Sequence, residues 1–201
     1  MRCAFSFEKG EGMKTAHLLV RTLIAVIVIS AGAVCLGQDK PLGQGAECPA
    51  IILRNWEGGY TRLRDYCGVK GSTLAEKDRK VAVLMFFATD CAGCRAEIPQ
   101  IQSIAQEYAG KDAVFFLVSI DRNPEEVLPS FIKEFNVRMP VLLDLYGVAH
   151  KDAFHLPAVP HTYVVSKDGK IAASLDGATV TEKEFGRRLR QELDRALGGT
   201  R

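Results

Sequence analysis

Val81-Ala82-Val83-Leu84-Met85-Phe86-Phe87-Ala88-Thr89-Asp90-Cys91-Ala92-Gly93-Cys94 decides the reading of this chain. Its first seven residues are apolar without alternation, the pattern of a strand covered on both faces. A short turn then delivers two cysteines three positions apart, and helical periodicity runs from Arg95 to Tyr108. A Cys-x-x-Cys at a strand-to-helix junction reads as a dithiol redox site rather than a structural staple. The helix N-terminus favours a thiolate at Cys91, because unpaired backbone N–H groups and the macrodipole both point at it. Cys91 is therefore the expected nucleophile. Cys94, one turn into the helix and less exposed, is the expected resolving thiol.

Outward from this stretch the elements follow in order. Residues 113–119 read as a second buried strand. Residues 125–135 read as a helix with Val127, Leu128, Phe131, Ile132 and Phe135 on its apolar face. Pro140-Val141-Leu142-Leu143 follows, then strands over 161–166 and 171–175 around Lys167-Asp168-Gly169-Lys170, whose Asp-Gly is a hairpin turn. Thr181-x-x-Glu184 is a capping box opening a last helix, in which Phe185, Leu189 and Leu193 form a core stripe. Before the redox stretch, residues 49–56 and 60–63 read as a β-hairpin around Glu57-Gly58-Gly59, and 68–80 as a charged connection. The order, a β-hairpin and then β-α-β-α-β-β-α, predicts an α/β domain with a mixed central sheet flanked by helices.

The N-terminal segment reads separately. Residues 22–37 are sixteen uncharged positions preceded by Lys14, His17 and Arg21, a basic region followed by an apolar one. As a helix this stretch spans roughly 24 Å, short of the ~30 Å hydrocarbon core. It is expected to be a signal peptide or a signal anchor, with Met13 a candidate start; membrane contact is expected only if it stays uncleaved. The expected organisation is residues 1–37 as this extension, 38–47 as a polar linker and 48–201 as the folded domain. The net charge of +2 lies in residues 1–37, leaving a near-neutral remainder in which nothing suggests nucleic-acid binding. Arg187, Arg188 and Arg190 alternate with Glu184, Glu192 and Asp194, a solvated helix face.

An exported chain meets an oxidising compartment, where disulfides persist. Of six cysteines, Cys3 and Cys35 fall in the N-terminal segment and Cys91 and Cys94 form the redox pair, leaving Cys48 and Cys67. A four-residue hairpin loop pairing Asn55 with Tyr60 sets these two opposite each other at its open end, so they are predicted to form a structural disulfide.

With these blocks in hand, the chain resembles the TlpA/ResA-like thiol:disulfide oxidoreductases, exported members of the thioredoxin superfamily, over residues 46–197. The matching blocks are Phe86-Phe87-Ala88-Thr89-x-Cys91-x-x-Cys94-Arg95-Ala96-Glu97-x-Pro99, Val118-Ser119-Ile120-Asp121, Pro140-Val141-Leu142-Leu143-Asp144, and Val159-Pro160-His161-Thr162-Tyr163-Val164-Val165 through Asp168-Gly169-Lys170. The resemblance implies a thioredoxin-like fold with an N-terminal hairpin extension, placed in the periplasm or on the outside of the cell envelope. It implies that Pro160 is a cis-proline facing the disulfide, that Val159, Pro160 and His161 line the substrate edge, and that Glu97 tunes the cysteines. It implies a disulfide-containing protein as substrate and a membrane thiol electron donor, with no cofactor and no metal, and suggests cytochrome c maturation as one use.

Three features depart from the family pattern. Asp90 replaces the usual aromatic residue before the first cysteine, Ala92-Gly93 lacks the usual proline, and Met85 stands where thioredoxins carry a buried acid. Two other readings remain. A peroxiredoxin-like thiol peroxidase needs a threonine three residues before its cysteine, where this chain has Ala88. A Cu(I) carrier would use Cys91 and Cys94 as soft ligands, with His155 or His161 as a third. Arg95 after Cys94 excludes c-type haem attachment.

Overall fold

The computed structural model describes residues 40–198. The expected signal segment and the start of the expected linker lie outside them. The strands are β1 (Ile52–Asn55), β2 (Tyr60–Arg62), β3 (Val81–Phe87), β4 (Ala113–Ser119), β5 (Val141–Leu143), β6 (His161–Val165) and β7 (Ile171–Asp176). They form one mixed sheet in the order β2-β1-β5-β4-β3-β6-β7. β3, β4 and β5 run parallel; the two hairpins pair antiparallel on either side of them. The helices are α1 (Ala92–Glu107), α2 (Pro124–Phe135) and α3 (Glu182–Ala196).

β3 is central, and all seven of its residues are buried, which is why its sequence does not alternate. Val83, Met85 and Phe87 face a core shared with Ile98 of α1, Leu128 of α2 and Leu189 of α3. Ala82, Leu84 and Phe86 face a second core built with Leu53, Leu63, Phe154 and Tyr163. Successive side chains of one strand thus separate two apolar compartments.

Three local expectations change. The helix after the redox turn starts at Ala92 rather than Arg95, because Cys91 is its cap, and it runs through Pro99 without a break. At the start of α3 the Thr181 hydroxyl bonds the Glu184 carboxylate at 2.9 Å and makes no bond to a helix amide, so only part of the capping box forms. The stretch expected as a linker joins the fold: Leu42 and Ala46 pack on the second core, and Ile171 N–H donates to the Ala46 carbonyl at 2.8 Å.

The predicted bridge between Cys48 and Cys67 is not made; both are free, buried thiols. Arg54, not Asn55, pairs with Tyr60, and the ladder does not extend back to Cys48. Instead Cys48 N–H donates to the Gly169 carbonyl at 2.9 Å, and Gly68 N–H donates to the Lys167 carbonyl at 2.9 Å. One turn between β6 and β7 thus anchors both cysteine segments. Gly169 permits this at φ +85°, since a Cβ there would lie 2.5 Å from the Gly68 backbone. The Cys48 thiol donates to the Pro49 carbonyl and the Cys67 thiol to that of Leu63.

Burial pushes the Cys67 thiol up to about 11 and raises Cys48 further, with Cys67 and Glu47 adding to the latter. Neither then supplies thiolate near neutrality. Iodoacetamide at pH 8 should leave both unlabelled in the folded protein and label both in urea without reductant. Peptide mapping checks this, and a linked 48–67 peptide would contradict the free-thiol arrangement.

Candidate active site

Cys91 ends the turn after β3 in an extended conformation (φ −78°, ψ 112°) and caps α1, its sulfur accepting the Cys94 N–H at 3.2 Å. A sulfur in this place meets the positive end of the helix. Cys91 and Cys94 are joined as a disulfide, with Cα atoms 5.3 Å apart. Cys94 is fully buried, whereas Cys91 is partly open, so only Cys91 offers its sulfur to a partner.

The turn is held from two directions. Thr89 donates through its N–H and its hydroxyl to Asp121 Oδ1, at 3.1 and 2.9 Å, and Ser119 Oγ donates to Asp121 Oδ2 at 2.8 Å. That ties the turn to the end of β4. On the other side Arg95 donates to the Thr89 carbonyl at 3.1 Å, pairs with Glu134, and lies 4.9 Å over the Phe135 ring. Asp90 is exposed.

Pro160 completes the site. The Val159–Pro160 bond is cis, as expected, and the Val159 carbonyl oxygen lies 3.6 Å from Cys91 Sγ. The Pro160 ring sits between two glycines. A Cβ on Gly93 would approach its Cδ to 3.2 Å, and a Cβ on Gly177 would lie 2.6 Å from its Cγ. Gly177 N–H also donates to the Pro160 carbonyl at 3.0 Å. Gly93, at a position where the family pattern has no glycine requirement, packs closely on the proline, and a Cβ there would fit only if its neighbour gave by a few tenths of an ångström. Sequence reasoning missed Gly177; only a three-dimensional contact reveals it.

Glu97 is buried, one helical turn after Cys94 on the same face of α1. Burial, and secondarily the charge of Glu182, lifts its carboxyl from the ordinary 4.5 to about 7.

Of the expected residues, Cys91, Cys94, Glu97, Val159 and Pro160 fall within this one region. His161 does not present its side chain there. Its ring is buried, bonds Ser174 Oγ at 2.8 Å and packs on Tyr163 in the second core. Strand alternation turns it away from the face that carries Pro160. His161 is therefore not a rim residue, and its imidazole is not available as a third ligand beside the cysteines. Cys48 and Cys67 belong to the second core.

Two outcomes test this geometry. Gly177→Ala must displace the Pro160 ring and should cost about 1–3 kcal/mol of stability. Gly43→Ala, with nothing within 4 Å of the added methyl, serves as control in urea unfolding. A raised folded-state value at Glu97 contributes stability below about 4.5 that is lost as pH rises through about 7. Wild type should therefore lose stability relative to Glu97→Gln between pH 5 and pH 8, measured by urea melts at both pH values.

The comparisons follow from this arrangement. The AhpC/TSA family profile matches residues 44–174. Thioredoxin-like protein YneN of Bacillus subtilis is 30% identical over 154 residues, covering 76% of this chain and 82% of that protein. Thiol-disulfide oxidoreductase ResA of Bacillus thuringiensis is 25% identical over 177 residues, covering 85% and 94%. The thioredoxin domain of a thiol-disulfide oxidoreductase from Bacteroides vulgatus superposes with a TM-score of 0.60 at 22% identity, over 76% of this chain and 99% of that one, which shows the fold. Profile, relatives and fold agree with a Cys-x-x-Cys at the head of α1 and a proline facing it: the chain belongs to the AhpC/TSA family and is a ResA/TlpA-like member of the thioredoxin superfamily.

Proposed function

We propose that this thiol-disulfide oxidoreductase works as a reductase of protein disulfides. The observation that carries the reading is the asymmetry of the pair: Cys91 is open at a helix N-terminus beside the Val159 carbonyl, and Cys94 is sealed below it. In the dithiol form, Cys91 thiolate attacks one sulfur of the partner disulfide. A Cys91–partner bond forms, the partner's S–S bond breaks, and the released partner thiolate takes a proton. Cys94 then gives its proton to the Glu97 carboxylate and attacks Cys91 Sγ. The Cys91–Cys94 disulfide closes and the second partner thiolate leaves. Two electrons have passed from the chain to the partner, and the disulfide seen here is the end point of that turnover.

Glu97 suits this step because its value near 7 lets it hold or release a proton close to neutrality. Val159, held in place by the cis-Pro160 that follows it, presents a backbone edge on which an extended partner segment can hydrogen-bond. The apolar segment over residues 22–37 supports export, and a membrane thiol donor would restore the dithiol. The family resemblance supports a use in cytochrome c maturation.

A thiol peroxidase, which the AhpC/TSA description also brings to mind, is less favoured, because Ala88 stands where that chemistry uses a threonine.

Cys94→Ser should trap a mixed disulfide through Cys91 with a disulfide-bearing substrate, visible on a non-reducing gel, while Cys91→Ser should not. Trapping by the Cys91→Ser variant alone would reverse the roles. The potential of the pair against a glutathione series decides direction: a value well below the roughly −180 mV of protein disulfide isomerase fits a reductant, and one near −120 mV an oxidant.

A further inference from the structure

Beside the redox turn lies a cavity of about 520 Å3, lined in part by Ile120, Arg122, Tyr146, Lys151, Pro157 and Ala158. It adjoins the substrate edge along the chain itself: Pro157 and Ala158 directly precede Val159, whose carbonyl lies 3.6 Å from Cys91 Sγ. Ile120 follows β4 and donates its N–H to the Phe87 carbonyl, next to the redox turn.

The charge of this cavity is one-sided. Asp144 is its only acidic lining residue, and that carboxylate is buried and already occupied. Its Oδ1 accepts Ala149 N–H at 3.1 Å, and its Oδ2 accepts His150 N–H at 2.7 Å and faces His150 Nδ1 at 2.7 Å. Asp121, beside Arg122, is held by Thr89 and Ser119, and Glu125 pairs with Arg54. Arg122 and Lys151 are exposed and, among the described residues, enter no ion pair. The stem of Lys151 is folded over Gly147, with Cδ 3.1 Å from where a Cβ would stand. Lys151 belongs to the π-helical turn 148–153, where the Gly147 carbonyl accepts both Lys151 N–H at 2.9 Å and Asp152 N–H at 3.2 Å. Tyr146, 87% exposed, lines the same cavity.

We propose that this cavity seats a carboxylate carried by the disulfide partner close to its target cysteine, held by Arg122 and Lys151. The inference rests on the reductase reading above and names its substrate class: disulfides with an acidic neighbour. A guanidinium can hold a carboxylate bidentately, and the ammonium adds a point charge. At an open rim such contacts act on encounter and selection more than on the chemical step. The carboxylate could belong to a peptide segment or to a small disulfide such as oxidised glutathione; the extended backbone edge at Val159 favours the peptide.

The test uses cystine peptides that differ at one position beside the target cysteine, carrying Glu, Gln or Lys, with the dithiol form of the full chain as reductant. The Glu peptide should react at least about fivefold faster than the Gln peptide at low salt, and the Lys peptide slowest. The advantage should shrink as ionic strength rises. The double variant Arg122→Gln/Lys151→Gln should bring the Glu-to-Gln ratio to about one, and Arg122→Lys/Lys151→Arg should keep most of it. Iodoacetamide labelling of Cys91 confirms that the redox turn is formed in each variant.

Equal rates for the three peptides in wild type would overturn the subsite while leaving the reductase reading standing. A Glu preference that survives in the double Gln variant would overturn it as well. If only oxidised glutathione shows the dependence on Arg122 and Lys151, the carboxylate belongs to a small disulfide and the peptide assignment falls. Reduction of none of these compounds would sink the reductase reading and the subsite together.

Discussion

The site depends on one steric contact, the seat of the Pro160 ring between Gly93 and Gly177. Gly93 belongs to the first turn of α1, and Gly177 follows directly on β7. The proline thus touches the cysteine helix on one side and the end of the C-terminal hairpin on the other. Neither neighbour has a side chain: Gly177 approaches the ring more closely than a Cβ would permit, and Gly93 at a distance a Cβ would fit only tightly. The 3.0 Å bond from Gly177 N–H to the Pro160 carbonyl fixes the register of that approach. The nearness of Val159 to Cys91, and with it the use of the disulfide, follows from this packing.

The electrostatic arrangement grades from wet to dry over about two helical turns. Asp90 is exposed, Cys91 half-open, and Cys94 and Glu97 buried. Charge is therefore costly at the two inner positions and tolerated at the outer one. A dithiol built this way opens one sulfur to the surface and buries the other one helical turn from a carboxyl. The anchors outside the turn, Asp121 with Thr89 and Arg95 with the Thr89 carbonyl, hold the gradient in place without touching the sulfurs.

Much of this was legible in the chain. The unalternating run 81–87, the short turn and the helical pattern after it placed both cysteines, and the Asp-Gly turn placed the last hairpin. Glu97 could also be read, since it shares a helical face with Cys94, Ile98 and Ile101. What resisted reading depends on contacts between distant segments. Gly177 looks like any turn glycine until Pro160 is set against it. His161 follows the critical proline, yet the period of a strand turns its ring to the other side of the sheet. Cys48 and Cys67 were aligned by a hairpin ladder that stops short of them, because the Lys167–Gly169 turn takes up their backbone bonds. The anchoring role of Asp121 was equally hidden, as its partner lies thirty-two positions away.

The sheet also partitions the cysteines of the described residues. Cys94 lies in the core that packs against the helices, while Cys48 and Cys67 lie in the core on the opposite face of β3, with fully buried strands between them. When Cys91 is covalently joined to a partner, a thiol can free it only by reaching its sulfur. Within the folded domain, Cys94 stands there and the other two do not. Fidelity in the resolving step is thus a matter of walls as much as of reactivity. Scrambled pairings between the two compartments require the sheet itself to open, so the same cooperative unfolding that sets the domain's stability also guards the outcome of its chemistry.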